Sequence, residues 1–259
     1  MKTVTVRARG SLRDFLSRAA RDQDVSLPYS PRQNAKDAFE SAGIPHVEVD
    51  LMLVNGVSVT FAHVLSPGDR VEVYPLGHSS EQESLVRPAP YEPRFLVDEN
   101  SARLAAFLRL LGFDATANPA WHDAELADRS ARERRILLTR DIGLLKRSVV
   151  VHGYFLRSDM TREQLLEVIE RYGLWPKRAP FTRCLNCNGA LAAVAKESAR
   201  SLVPDETFAI FEEFFRCEDC GKIYWKGSHY ERMESWMKEL EDRFSVHGPP
   251  PSALGSRQV

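Results

Sequence analysis

The sequence lacks the features that would place it among membrane or secreted proteins. None of its apolar runs approaches the roughly 20 residues that a membrane-spanning helix needs. The first ten residues, MKTVTVRARG, alternate apolar and charged side chains and lack the continuous apolar stretch of a signal peptide. We therefore expect a cytoplasmic protein that does not enter a membrane.

An excess of charge of one sign is also missing. The chain has 35 Lys and Arg against 36 Asp and Glu, so its net charge of −1 exerts no general attraction on nucleic acid. Locally the balance differs, because residues 128–147 contain seven basic side chains and three acidic ones. This segment is either a solvated helix face or a phosphate-facing patch, and the sequence leaves both open.

Cysteine is scarce, but its placement is informative. The four cysteines form two C-x-x-C pairs, Cys184 with Cys187 and Cys217 with Cys220, separated by 29 residues. In a reducing compartment such pairs favour a metal over disulfides, and two of them complete a tetrahedral four-sulfur site. Because four thiolates leave no open coordination position, we predict a structural zinc ion in a ribbon-like module.

The first 77 residues predict a small α+β roll. Val4 and Val6 alternate with polar residues as in a half-buried strand, and Ser30-Pro31 has the chemistry of a helix start. Asn55-Gly56 between apolar runs indicates a hairpin, and a last strand is expected at residues 70–74.

This order of elements, with the segments VNG and PGDRVEVYP, resembles the ubiquitin-like β-grasp fold and its sulfur-carrier branch. Sulfur carriers act through a free Gly-Gly end, whereas here Leu76-Gly77-His78 is followed by a long chain. Carrier chemistry is therefore the weakest hypothesis, and we expect an accessory domain that contacts a protein or RNA.

A Ser-, Glu- and Pro-rich segment, residues 78–93, is interpreted as a linker, after which strands and helices alternate. Such alternation predicts a mostly parallel α/β sheet with right-handed crossovers. The expected strands are residues 94–97, 113–116, 136–139 and 149–156. Helices are expected at residues 104–111, where the apolar residues have helical spacing, and at 123–134 and 142–146. A last helix is expected to begin at a capping box of Thr161 and Gln164 and to end at Gly173.

Three aspartates follow this alternation. Asp98 and Asp141 come directly after strands, and Asp123 begins the helix that leads into the third strand. These positions converge on the carboxyl edge of a parallel sheet, where a hard cation such as Mg²⁺ or Mn²⁺ would relieve the repulsion among carboxylates. Glu99 and Glu125 are candidate helpers. Scattered surface acids, with Asp123 only an N-cap, are the alternative.

The motifs FLVDEN, GFD, HDAEL, ILLTRD and CEDCGKIYWKGSH resemble the Mut-seven carboxy-terminal RNase domain, a PIN-like nuclease with an appended zinc ribbon. Many members of that family carry a ubiquitin-like domain in front. The resemblance covers residues 94–240 and implies that Asp98, Asp123 and Asp141 are metal-binding, catalytic positions. Arg140 would steady the scissile phosphate or form a surface salt bridge. Thr139 would order a metal-bound water or bond to backbone.

After the linker, an apolar stripe at helical spacing predicts a carboxyl-terminal helix (229–247), and the composition of the last residues predicts a disordered tail (248–259). The resemblance divides the part in between into a PIN-like domain (94–178) and a zinc ribbon (179–228). It implies a metal-dependent ribonuclease that acts on RNA, with transfer or ribosomal RNA as candidates. The alternative is a non-catalytic RNA- or ribosome-binding adaptor with the same fold. Five aromatic residues around the ribbon would either stack on bases or form its core: Phe181, Phe214, Phe215, Tyr224 and Trp225.

Overall fold

A computed structural model describes residues 2–86, 88 and 91–247. The tail that the sequence predicted to be disordered, 248–259, lies outside the described residues. The chain divides into two compact units, one of Met1–Glu92 with Ala120–Arg157 and one of Pro93–Pro119 with Ser158–Val259.

Twelve strands and eight α-helices are described. The strands are β1 Thr3–Ala8, β2 Val25–Pro28, β3 Leu51–Val54, β4 Val57–Ser58, β5 Arg70–Tyr74, β6 Arg94–Val97, β7 Asp114–Thr116, β8 Ile136–Thr139, β9 Gly153–Phe155, β10 Leu191–Val194, β11 Phe214–Cys217 and β12 Ile223–Trp225. The helices are α1 Ala35–Ser41, α2 Ala102–Leu110, α3 Asp123–Arg132, α4 Ile142–Leu145, α5 Thr161–Tyr172, α6 Lys196–Ala199, α7 Asp205–Ile210 and α8 Ser228–His247.

The amino-terminal part of the first unit is a five-stranded sheet in the order β2-β1-β5-β3-β4, with α1 on its apolar face. The central strands β1 and β5 run parallel, and their neighbours are antiparallel. Val4, Val6 and Phe39 are fully buried in the core. Asn55 and Gly56 both have positive φ, 50° and 84°, which confirms the predicted hairpin turn.

Helix α1 begins later than the sequence suggested. Its N-cap is Asn34, whose side-chain oxygen accepts a hydrogen bond from the N–H of Asp37 at 2.8 Å. The predicted start at Ser30-Pro31 is wrong, because the chain turns there and Arg32 takes a left-handed φ of 63°. The edge strand β2, which is half-exposed, was not predicted.

The same unit contains the parallel pair β8–β9, and residues of the amino-terminal fold bond to β9 and to the loop before it. The carboxylate of Glu48, 1% exposed, accepts a hydrogen bond from the N–H of Phe155 at 2.7 Å. The ring of His46 lies 2.7 Å from the Glu40 carboxylate and 2.9 Å from the carbonyl oxygen of Val150. These buried polar contacts attach the loop and strand to the amino-terminal fold.

The start of the segment interpreted above as a linker packs on the amino-terminal fold. The side-chain amide of Gln82 donates to the carbonyl oxygen of Gly56 at 2.8 Å, and the hydroxyl of Ser84 donates to that of Asp50. Val86 is 8% exposed and belongs to the core. Its neighbours Arg87, Ala89 and Pro90 lie outside the described residues.

The second unit contains the parallel pair β6–β7, against which α2 packs, and α5 packs on α2. The part of the chain after residue 93 therefore has a parallel sheet flanked by helices, as its alternating pattern predicted. The fourth strand is shorter than expected, Gly153–Phe155 instead of 149–156.

Helix α5 ends at Gly173, which is left-handed as expected, but it does not begin with a capping box. Its N-cap is Met160, and Thr161 is already helical. Gln164 instead donates from its side-chain amide to the carbonyl oxygen of Ser158 at 2.9 Å, which closes the preceding turn.

The ribbon is an antiparallel sheet in the order β10-β11-β12, with the short, unpredicted helices α6 and α7 between its first two strands. Phe214, Ile223 and Ala199 form its small core, and Trp225 packs against them. The interpretation that aromatic residues of the ribbon form its core is thus confirmed for Phe214 and Trp225. No helix in the described part of the chain combines the length and apolarity needed to cross a membrane.

Candidate metal centre and acidic strand ends

The four cysteines converge on one point of the second unit. Their sulfur atoms all lie within 4.8 Å of one another, with Cys184 3.7 Å from Cys220 and Cys187 3.4 Å from Cys217. Four sulfurs at this spacing can hold one metal ion such as zinc in a closed site.

Local backbone geometry builds each pair into a turn. The N–H of Cys184 donates to the carbonyl oxygen of Gly189 at 2.8 Å, and the N–H of Gly221 donates to that of Cys217 at 3.0 Å. Gly189 has no room for a side chain, because a Cβ there would lie 2.8 Å from the Cys217 sulfur and 2.6 Å from a carboxylate oxygen of Asp219. Gly221 has a left-handed φ of 70°.

The surroundings of the cysteines shift the pKa values of two of the thiols in opposite directions. Burial disfavours the thiolate of Cys184, but hydrogen bonds from the hydroxyl of Tyr224 (3.1 Å) and from backbone N–H groups outweigh it and lower the pKa of Cys184 to about 6. Burial and the neighbouring thiols raise the pKa of Cys187 to about 12. Ionisation of Cys184 is therefore favoured and that of Cys187 disfavoured, and a bound cation would stabilise both thiolates.

Arg109, on α2, joins the first cysteine pair to the sheet. It is 7% exposed, and it donates from Nε to the carbonyl oxygen of Ala115 at 2.7 Å. From Nη1 it donates to the carbonyl oxygens of Leu185 and Asn186 at 2.9 and 3.0 Å. Burial lowers the pKa of Arg109, and the thiolates of Cys184 and Cys187 oppose that shift. Its position balances negative charge at the cysteines.

Asn188 forms the second link to the sheet. Its left-handed φ of 79° closes the turn after Cys187, which agrees with the backbone freedom expected of Asn-Gly. Its side chain accepts a hydrogen bond from the N–H of Ala115 at 3.0 Å and donates one to Asp114 at 2.7 Å. Sequence reasoning did not find Arg109 or this role of Asn188, since the contacts that join the cysteine turn to α2 and β7 link residues more than 70 positions apart in the chain.

Asp141 lies at the end of β8 and caps α4. Its carboxylate accepts a hydrogen bond from the N–H of Leu144 at 3.0 Å, and its own N–H donates to the Thr139 hydroxyl at 2.9 Å. The Thr139 hydroxyl is thus bonded to backbone, one of the two roles expected for it. Arg140 is exposed, and Nη1 donates to the carbonyl oxygen of Arg157 at 3.1 Å.

The other two aspartates differ in burial. Asp98 follows β6 and is 8% exposed. Asp123 is exposed in the first turn of α3, and His122 is the N-cap residue, so Asp123 is not the cap. The helper Glu125 is paired with Arg129 at 2.9 Å. Within the described residues, the four cysteines are the only group of three or more acidic, His or Cys side chains placed so that they could hold a metal ion.

The basic segment before β8 is largely paired. Arg129 contacts Glu125 and Glu133, Arg132 contacts Asp128, and Arg135 contacts Glu133, all between 2.8 and 2.9 Å. These pairs favour the solvated helix face over a phosphate-facing patch for this part of the segment.

Two family models match the sequence. The Mut7-C RNAse domain matches residues 93–237, more than half of the chain, and the Mut7-C ubiquitin domain matches residues 1–81. The chain belongs to the Mut7-C RNAse domain family. Both the family suggested by the motifs and the ubiquitin-like fold of the amino-terminal part are thereby confirmed.

The match to the Mut7-C RNAse domain includes all four cysteines and all three aspartates. Comparison with curated proteins and with solved structures finds no match for this chain. The family supports a nuclease-like function and contact with RNA, and the Mut7-C ubiquitin domain supports contact with a protein partner.

Proposed function

We propose that this chain is a metal-dependent ribonuclease that hydrolyses RNA phosphodiester bonds. The observation that carries the proposal is the match of the Mut7-C RNAse domain over residues 93–237, the region that holds both the cysteine site and the three aspartates. Transfer or ribosomal RNA is a candidate substrate.

Asp98, Asp123 and Asp141 would hold one or two Mg²⁺ or Mn²⁺ ions through carboxylate oxygens. The donor chemistry fits, because these hard cations prefer oxygen ligands. Asp98 and Asp141 support the proposal by following strands directly. Such an ion, when bound, activates water for attack on phosphorus and stabilises the leaving oxygen.

Arg140 would orient the scissile phosphate. Its guanidinium has five N–H donors, of which one is used on the carbonyl oxygen of Arg157, and the side chain is exposed. A guanidinium placed beside Asp141 balances the negative charge that phosphate brings to the carboxylates.

The four cysteines would hold zinc in a structural role. With four thiolates the site carries a net charge of −2, which the buried cation of Arg109 partly balances. The ion would keep the ribbon folded and attached to the sheet, where the ribbon aids contact with RNA, and take no part in hydrolysis.

A second candidate is a non-catalytic RNA- or ribosome-binding adaptor. It is favoured by one observation: the carboxylate of Asp141 already caps α4, a structural role that needs no metal ion. Metal-independent RNA binding without turnover would support it. For either function, the ubiquitin-like domain would contact a protein partner, and a cytoplasmic location stays a prediction.

The deciding experiment is RNA cleavage by the purified chain in Mg²⁺, in Mn²⁺ and after removal of free divalent cations, with zinc content measured in parallel. The key variant is Asp141→Asn. Asparagine also accepts a hydrogen bond at an N-cap, so α4 should persist while the charge is lost. Asp128→Asn, an exposed change on α3, is the matched control.

We expect cleavage that depends on added Mg²⁺ or Mn²⁺, a loss of at least about a hundredfold in Asp141→Asn and no comparable loss in Asp128→Asn. Undiminished cleavage by Asp141→Asn would refute the assignment of the acidic site. Absence of cleavage by a zinc-loaded protein that binds RNA would favour the adaptor.

A further inference from the structure

A cavity of about 330 Å³ lies in the second unit. Residues of α2, α5 and α8 line it, together with Leu185, which stands between the first two cysteines. The volume is at the lower end of the range for small-ligand sites and suits a group about the size of a single base rather than a duplex.

Apolar and aromatic side chains form most of the lining. Phe107 of α2 and Trp236 of α8 meet edge to face, with ring centroids 4.9 Å apart. Met233, one turn before Trp236, lines the cavity beside them. Flat, polarisable surfaces of this kind bind the faces of aromatic rings.

Cationic side chains stand at the same cavity. Arg162 and Arg232 are exposed residues that line it, as does the exposed ring of His229. The guanidinium of Arg162 lies 5.1 Å from the centre of the Trp236 ring. None of the described residues that line the cavity is acidic. The site therefore complements a ligand with a flat apolar body and a negative charge.

We infer that this cavity binds one unpaired nucleotide of single-stranded RNA, with the base against Phe107, Met233 and Trp236 and the phosphate near Arg162 and Arg232. The inference rests on the proposed function, since RNA is the partner that the family supports. It adds a site for an unpaired base whose lining includes none of the three aspartates. Because Leu185 is part of the wall, metal binding by the cysteines would also shape the cavity.

The test measures fluorescence anisotropy with a fluorescein-labelled six-nucleotide oligoadenylate and with an abasic ribose-phosphate strand of the same length. The full chain carries Asp141→Asn throughout, so that the probe is not cut. Ala106→Phe places a ring in the cavity from α2, and Arg232→Glu reverses one charge at it. Lys238→Glu makes the same reversal on α8 at a 75% exposed side chain that does not line the cavity.

We expect Ala106→Phe to weaken oligoadenylate binding about 5- to 140-fold, the range that corresponds to loss of one stacked base, and to leave abasic binding nearly unchanged. Arg232→Glu should weaken both probes, and Lys238→Glu should change either by less than about twofold. Because Arg232 is exposed, Arg232→Glu should not disturb folding, and it keeps the test valid if Ala106→Phe fails to fold.

Two results would overturn the inference. One is oligoadenylate binding that neither Ala106→Phe nor Arg232→Glu weakens. The other is a loss in Ala106→Phe that is equal for both probes, since no base would then occupy the cavity. If either result is found while the chain with its native Asp141 cleaves RNA, the inference is wrong but the proposed function is retained. A chain that neither binds nor cleaves RNA refutes the proposed function as well.

Discussion

Replacing Arg109 by methionine should weaken both metal binding and the attachment of the cysteine turn to the sheet. Methionine keeps the apolar stem but removes the charge and all N–H donors. Three hydrogen bonds are lost together, to the carbonyl oxygens of Ala115, Leu185 and Asn186 at 2.7 to 3.0 Å, of which the one to Ala115 is buried.

The magnitude follows from these contacts. A hydrogen bond to a charged group contributes about 1.5–3 kcal/mol, and three bonds to one guanidinium are not additive. Water will also form hydrogen bonds to the carbonyl oxygens of Leu185 and Asn186, which are not fully buried, and so offset part of the loss. We therefore expect the free energy of unfolding of the second unit to fall by about 3–5 kcal/mol. Loss of an outer partner of a metal site typically costs about 10- to 100-fold in metal affinity.

Zinc affinity is measured by competition with a chromogenic chelator, and opening of the cysteine turn by hydrogen exchange at residues 184–188. Arg109→Lys is the matched variant, because it keeps the charge but loses the planar guanidinium. Its zinc affinity and exchange rates should lie between those of the unchanged protein and Arg109→Met. If Arg109→Met holds zinc with unchanged affinity and shows unchanged exchange, the arginine does not stabilise the site and the reasoning is wrong.

Three further predictions concern single contacts and the metal. Gly189→Ala should prevent tight zinc binding, since its methyl group would lie within 3 Å of Cys217 and Asp219, and a zinc content above half of the unchanged protein would contradict this. Glu48→Ala should lower the free energy of unfolding, measured by chemical denaturation, by about 2–3 kcal/mol, because the N–H of Phe155 loses its acceptor. Glu48→Gln keeps an acceptor and should cost less. Equal losses in the two variants would show that this hydrogen bond does not contribute to stability. Removal of zinc should increase proteolysis at residues 184–225 while the ubiquitin-like domain stays protected, and even cleavage along the chain would argue against a structural zinc.

Local patterns were sufficient for most of the regular structure. The strands at residues 94–97 and 136–139 were expected from short apolar runs and are present with those bounds. The Asn55-Gly56 turn was recognisable because both residues tolerate the left-handed backbone that a tight hairpin needs. In such cases the deciding interactions lie within a few residues of one another.

Choices between similar local signals were less predictable. Ser30 and Asn34 both have the chemistry of an N-cap, and only the fold shows that Asn34 bonds to the helix. The strand β2 has only four residues and pairs at an edge, so it forms a strand only because β1 lies beside it. The two helices within the ribbon were missed because the spacing of the cysteines constrains only the ends of that segment.

The sequence by itself determined that the four cysteines come in two pairs with the spacing of metal ligands and that an α/β part follows an α+β part, because spacing and periodicity are properties of neighbouring residues. Only the tertiary structure decided how the cysteine turn is attached, through the bond of Arg109 to Leu185 and the bond of Asn188 to β7. It also decided which residues line the cavity beside Leu185. Those contacts join residues far apart in the chain, where burial makes a charge or an amide costly without its partner, and no local pattern records that pairing.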